Sequence, residues 1–398
     1  MNAKSKKIKI MMKIKTIVIL MLSLLIYNHN LKSQTNKNFI KVDRVMLRIP
    51  DSMTYSSQNI ANYINIKFHS QNDKARAIYC WITESIQYDF DNMYAIDMYN
   101  SDISSDETLK SRKGICTNYA NLYSDIANKV GVKTYVITGY TRKKKHVNQN
   151  PHAWCVSMID TSWYMIDPTW GSGYIQNSNY IKKINNNFFK IQPNSFIKSH
   201  IPFDPLWQFL NYPITKQEFH HGTSKSKNEN LYFNFIDTLK IYESQSSFNR
   251  LLSSSIRIES NGICCYLDYD NLSDIKFNIK VHYKKVDKEL FNSAANQYKK
   301  GIFMLNEYIG YANKYYVPYK SDSEIRQMLE DIRITFNLAL QQLEKSKYLT
   351  SSLENEIHQL KKSINQALVE LKKQKNSLDK YLEIAKKYRE TLSNSNEK

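Results

Sequence analysis

Apolar residues recur at helical spacing twice in the middle of the chain. From Lys74 to Ile86, the residues Ala77, Ile78, Trp81, Ile82, Ser85 and Ile86 share one stripe, which predicts an amphipathic helix ended by Tyr88-Asp89. Over 116–130 a stripe of Tyr119, Leu122, Tyr123, Ile126, Ala127 and Val130 predicts a second helix, stopped by Gly131. The β-branched and aromatic run Lys133 to Tyr140 then predicts a strand. Two more are predicted at His152–Ile159 and Ser162–Ile166, around a tight turn at Asp160-Thr161. Residues 176–218 carry Pro193, Pro202, Pro205 and Pro213 and read as loop-rich.

Beyond that point the pattern shifts. Short alternating stretches such as Leu231–Phe235, Ser255–Ile258, Cys264–Leu267 and Ile275–Tyr283 predict a small β-domain over 219–285. Residues 286–398 read as helical, divided at Pro318. The last part places Ile357, Ile364, Leu371 and Leu378 seven apart, with Leu353, Leu360, Ala367 and Tyr381 between them. Gln374 interrupts the second row, so an antiparallel helical hairpin is expected ahead of a long coiled coil, with a partner-binding helix as the alternative.

Composition narrows the class. With 398 residues, 42% of them hydrophobic and 13% aromatic, the chain is too apolar for a disordered polymer and long enough for two or three domains. Its 9 glycines and 8 prolines exclude collagen-like and linker-like chains, and 5 cysteines are too few for a disulfide scaffold of this size. Residues 1–15 hold six lysines and no acid, ahead of an apolar run from Ile17 to Tyr27 that is shorter than the roughly 20 residues of a membrane span. That order reads as a signal peptide over 1–34, hence an exported protein (periplasmic, cell-surface or secreted), with an uncleaved anchor as the alternative. Its removal takes seven lysines and no acid, lowering the net charge from +19 to +12. Such a charge suits an anionic envelope surface. It does not by itself indicate nucleic acid, because no basic stripe or nucleic-acid motif accompanies it. The run Arg142-Lys143-Lys144-Lys145-His146 reads as a solvated loop tip, with the steering of an acidic substrate as the alternative.

The scarce residues cluster where chemistry is expected. Five of the nine glycines (Gly114, Gly131, Gly139, Gly171 and Gly173) and three of the five tryptophans (Trp154, Trp163 and Trp170) fall between 114 and 173. Within that window Cys116 follows a glycine turn at the predicted start of a helix, where the positive end of the helix dipole favours a reactive thiol. Cys80 and Cys155, mid-helix and mid-strand, read as buried packing residues. The vicinal Cys264-Cys265, in a predicted strand, and His220-His221 lack the spacing of a zinc site. A nucleophilic thiol needs an imidazole, and the imidazole an orienting acceptor. If the turn is Asp160-Thr161, Ile159 faces Ser162 and Trp154 faces Asp167, which puts His152 diagonal to Asp167 on one face. A slip of one residue would separate them. His146, in the lysine-rich loop, is a competing but poorer base.

Three stretches carry a resemblance. Lys113-Gly114-Ile115-Cys116-Thr117-Asn118-Tyr119-Ala120, Pro151-His152-Ala153-Trp154, and Trp163 through Gly173 together resemble the transglutaminase-like superfamily. The ending Thr169-Trp170-Gly171-Ser172-Gly173, with Pro193-Asn194-Ser195-Phe196-Ile197 and Pro205-Leu206-Trp207-Gln208, is most similar to its kyphoscoliosis-peptidase branch. The resemblance spans about 70–215. It implies an α+β, papain-like core over 35–218, with Cys116 as nucleophile, His152 as base and Asp167 as orienting carboxylate. Relatives often place an upstream aromatic or Gln side chain at the oxyanion site, which makes Trp81 a candidate, against its alternative as a core tryptophan. Thr117, Asn118 and the enlarged loop at Lys144-Lys145 depart from the usual pattern. The implied function is a cysteine enzyme acting on peptide or Gln-type amide bonds through a thioester, with a protein or peptide substrate and neither metal nor cofactor. The rival is a catalytically silent scaffold that binds partners, or itself, through the β-domain and helical tail.

Overall fold

The computed structural model describes residues 39–90, 104–144, 146–177, 179–223, 232–347 and 350–395. The expected signal peptide at 1–34, and Lys145 in the basic run, lie outside the described residues. Contacts divide the chain into two compact units: residues up to Ser246 with Ser253–Leu272, and Ser247–Leu252 with residues from Ser273 onward.

The first unit is mixed α and β. Helices α1 (Ser57–Lys67) and α2 (Gln71–Ser85) each begin at a serine, Ser56 and Ser70, whose side chain accepts from the third backbone N–H. Two short strands follow, β1 (Gln87–Tyr88) and β2 (Lys113–Gly114), paired in parallel on either side of α3 (Ser105–Ser111). Then comes α4 (Cys116–Lys129), whose apolar side packs with α2 through buried Ala77, Ile78, Tyr119, Leu122, Tyr123 and Ile126. The long hairpin of β3 (Thr134–Lys143) and β4 (His146–Ile159) is extended by β5 (Ser162–Ile166) on one side. On the other side β8 (His200–Pro202) completes an antiparallel sheet of order β5-β4-β3-β8.

The β4–β5 turn has the expected register, with Ile159 opposite Ser162 and Cys155 opposite Ile166. Asp160 takes the left-handed conformation, φ 58°, that the tight reversal requires. Alternation divides the sheet: Ala153 and Cys155 join the helical core, and Cys155 Sγ donates to Ala120 O at 3.2 Å. Trp154 and Val156 join a second core with Phe196, Leu206 and Trp207. Between β5 and β8 the chain forms α5 (Pro168–Ser172), the hairpin β6 (Gly173–Gln176) with β7 (Asn179–Lys182), and α6 (Pro193–Phe196). After β8 comes α7 (Lys216–His220).

The β-domain expected over 219–285 is corrected by the structure. Its described residues form α8 (Phe235–Ser244), α9 (Ser247–Asn261) and the beginning of α10 (Tyr266–Asn313). The short windows that read as alternation are fragments of a period near three: in α9 the buried residues are Ser255, Ile258 and Asn261. Cys264 and Cys265 therefore lie at a helix start, where both backbone N–H groups donate to Asp268 Oδ2.

The second unit is helical. The chain breaks between Asn313 and Asp322 around Pro318, and α11 (Asp322–Glu344) packs with α12 (Ser351–Ser395). Ile357, Ile364, Leu371 and Leu378, the expected seam, are all buried there with Leu329, Ile332 and Phe336. Tyr381, expected on the same seam, is 40% exposed. Among the described residues, no helix is long and apolar enough to cross a membrane.

Candidate active site

Cys116 is the first residue of α4, and the turn that delivers it is held from within. Asn118 folds back so that its Oδ1 accepts from Ile115 N–H at 2.9 Å, while its Nδ2 donates to Thr108 Oγ1 at 3.0 Å. This capping role gives the departure at Asn118 a physical reason. Cys116 is buried but lines a cavity of about 1040 Å³. His152, from the sheet strand β4, lines the same cavity, as do Tyr88, Trp170, Tyr174, Tyr180 and Phe188.

Asp167 sits between β5 and α5, as the N-cap of that short helix. Its Oδ1 accepts the backbone N–H groups of Thr169 and Trp170 at 2.9 and 3.0 Å. Its Oδ2 accepts from His152 Nε2 at 2.9 Å. The carboxylate is wholly buried, and burial alone would raise its pKa. The charge and hydrogen bond of His152, with those of His200, outweigh burial and hold it well below the usual range. For His152, burial disfavours the charged ring, but Asp167 overrides this by charge and hydrogen bond, and Cys116 adds to the effect in the same two ways. The imidazole pKa is pushed up to about 10.

A third side chain shares Asp167. His200 Nε2 lies 3.1 Å from Asp167 Oδ2, and its Nδ1 is 2.8 Å from Ser199 Oγ. Burial lowers the His200 pKa to about 4, Asp167 opposing and His152 assisting. His200 escaped the sequence reading because it lies on a three-residue strand inside a proline-rich stretch. The available signal was its position between two restrictive motifs, Pro193–Ile197 and Pro205–Gln208.

His152, Asp167 and His200 place ligand atoms within 4.8 Å of one another, a spacing that would suit a metal ion. The same distances are those of hydrogen bonds: an ionised carboxylate only accepts, so a bond to each Nε2 places a proton, not a lone pair, toward Oδ2.

Other expected positions fall elsewhere. Trp81 is buried in the helical core with the Arg112 guanidinium 5.1 Å from its ring centre, and is not among the described residues lining the cavity. His146 is exposed at the start of β4, opposite Lys143. His220 lies 3.3 Å from Tyr140 OH, away from the cavity lining.

A family model described as the transglutaminase-like superfamily matches residues 58–168. Residues 58–168 form a transglutaminase-like core. The transglutaminase-like core is 27% identical over 162 residues to kyphoscoliosis peptidase of Mus musculus, covering 39% of this chain and 24% of the relative. It is 22% identical over 203 residues to Hillarin of Drosophila melanogaster, covering 46% and 24%. The chain thus spans about a quarter of the length of these curated relatives. A crystal structure of a TGase matches at 20% identity, covering 41% of this chain and 42% of that one, with a TM-score of 0.24. A second family model, described as Arylesterase, matches 269–384, where the described elements are α10, α11 and α12.

Proposed function

We propose that the transglutaminase-like core is a cysteine acyl-transfer enzyme in an exported protein, acting on peptide or Gln-type amide bonds. Cys116 is the nucleophile, His152 the acid–base and Asp167 its orienting partner. The observation that carries the reading is the His152–Asp167 hydrogen bond of 2.9 Å, made by an imidazole that lines the same cavity as Cys116. With Nε2 committed to Asp167, Nδ1 is the nitrogen left to serve the thiol. An imidazolium beside a cysteine is the setting in which sulfur reacts as thiolate.

The sulfur attacks the amide carbonyl, and the C–N bond breaks as His152 passes its proton to the departing nitrogen. A thioester on Cys116 remains. His152, now neutral, takes a proton from water or an incoming amine as that group attacks the thioester. Cys116 leaves as thiolate and the imidazolium is restored. Water gives hydrolysis and an amine gives transamidation. The aromatic wall of Tyr88, Trp170, Tyr174, Tyr180 and Phe188 offers a peptide segment broad apolar contact.

The test is brief iodoacetamide labelling of the full chain at about pH 6, where an unperturbed thiol is almost wholly protonated, read by peptide mass spectrometry. Cys116, though buried, should label faster than exposed Cys264, whose pKa burial and Asp268 raise. His152→Ala should abolish that preference. If Cys116 labels no faster than Cys264 in the unmodified chain, the enzyme reading fails and the core is a binding scaffold.

A further inference from the structure

Asp167 is served by two imidazoles, and the mechanism uses one. His200 comes from β8, which Thr141 of β3 pairs directly, and its ring is wholly buried. It lies flat on Phe196, with ring centres 3.9 Å apart at 17°, and is 4.6 Å from Trp170. Trp154 meets it edge-on at 5.3 Å. The titratable groups that face it are Asp167 and, at 5.7 Å between rings, His152; the aromatic neighbours carry no charge. With its Nε2 hydrogen on the side of Asp167, Nδ1 of the uncharged ring holds a lone pair facing the Ser199 hydroxyl at 2.8 Å, nearer than that hydroxyl's other acceptor, Phe196 O at 3.4 Å. Both ring nitrogens are thereby committed, and nothing in this arrangement lets the ring carry a proton to the cavity.

We propose that His200 is a positioning residue: its Nε2–H holds Asp167 Oδ2 in line with His152 and takes no part in proton transfer. This rests on the cysteine-enzyme reading above. Asp167 then has all its acceptor directions filled, two by backbone N–H groups and two by imidazoles, and its carboxylate cannot rotate away from His152.

Two substitutions separate a hydrogen bond from mere packing. His200→Phe keeps an aromatic ring against Phe196 but cannot donate; His200→Gln loses the ring but keeps an N–H within reach of Asp167. In the full chain, alkylation of Cys116 by iodoacetamide is followed across pH in both. The Phe variant should slow by roughly ten- to a hundredfold, the worth of one hydrogen bond to a charged group, with a displaced pH profile. The Gln variant should stay close to the unmodified rate. The reverse order, or no change in either, overturns the proposal. Should Cys116 of the unmodified chain show no preference over Cys264, both the proposal and the reading beneath it fall together. A second measurement needs no variant to fold: with 15N-labelled histidine, the unmodified chain should show His200 as the Nε2–H tautomer from about pH 6.5 to 9, above its lowered pKa. A second proton, or the opposite tautomer, in that range overturns the assignment.

Discussion

Gly114 has no side chain because Asn118 occupies the space one would fill: a Cβ placed there would stand 2.4 Å from Asn118 Cβ and 2.7 Å from Cγ. The two residues form one device, a side chain folded back over a glycine to cap the helix that presents Cys116. Asn118→Ala should cost about 1 kcal/mol in stability, the usual worth of an N-terminal cap, read from the denaturant midpoint. It should also slow Cys116 alkylation, since Ile115 N–H loses its acceptor. Gly114→Ala, which forces the Asn118 side chain to move, should be worse than Asn118→Ala on both measures. If it is tolerated while Asn118→Ala is not, the close approach is not what demands glycine.

The two imidazoles on Asp167 should leave opposite marks on stability against pH. His152 has a folded pKa of about 10, above the unfolded value near 6.5. Its stabilisation is therefore complete below about pH 6.5 and is lost as pH rises toward 10. His200 has a folded pKa of about 4, below the unfolded value. There the unfolded chain binds the extra proton, so stability falls as pH drops from about 6.5 toward 4. Thermal unfolding of the full chain across this range should therefore show a maximum near pH 6.5. His152→Ala should flatten the alkaline slope and His200→Gln the acid slope. A single variant flattening both would contradict the assignment.

Asp167→Asn preserves shape but removes the anion. Two imidazole N–H groups converge on Oδ2, and an amide presenting NH2 there would face donors with a donor. The expected result is a fall in Cys116 alkylation at neutral pH of roughly 10²–10⁴, the range that general acid–base pairing supplies. The His152 pKa should also drop toward that of a free imidazole, visible by NMR. A rate close to that of the unmodified chain would show that Asp167 does not orient His152.

The His152–Asp167 pair was legible because it depended on one local fact, an even two-residue turn at Asp160-Thr161. Strand alternation carries that fact several residues without error. The position of Cys116 at a helix start was legible for a similar reason, a glycine turn just before it. His200 was not. It reaches Asp167 across 33 residues of chain that contain a hairpin and short helices, and no periodicity spans such a path. The same limit explains 219–285, where windows of four or five residues such as Ser255–Ile258 fit either period, and only the continuous run of α9 and α10 decides. Trp81 fell in the predicted helix, but the same stripe that placed it there also committed it to the core.

Lys216 is buried completely, a position that lysine seldom occupies without a partner. Its Nζ donates to Pro202 O on β8 and stands 3.6 Å from Asp268 Oδ1, above the rings of Tyr140 and Phe203. Burial lowers its pKa to about 8 in spite of Asp268. Asp268 in turn receives the Cys264 and Cys265 backbone N–H groups and Tyr140 OH, so the pair ties β8 and β3 to the start of α10. Removing one partner of a buried pair leaves the other uncompensated, so Lys216→Met should destabilise by about 3–5 kcal/mol. Lys216→Met with Asp268→Asn should recover part of that loss. Because Pro202 is two residues from His200, the single variant should also slow Cys116 alkylation under conditions where it remains folded. A Lys216→Met chain as stable as the unmodified one would show that the Lys216–Asp268 pair contributes no net stability.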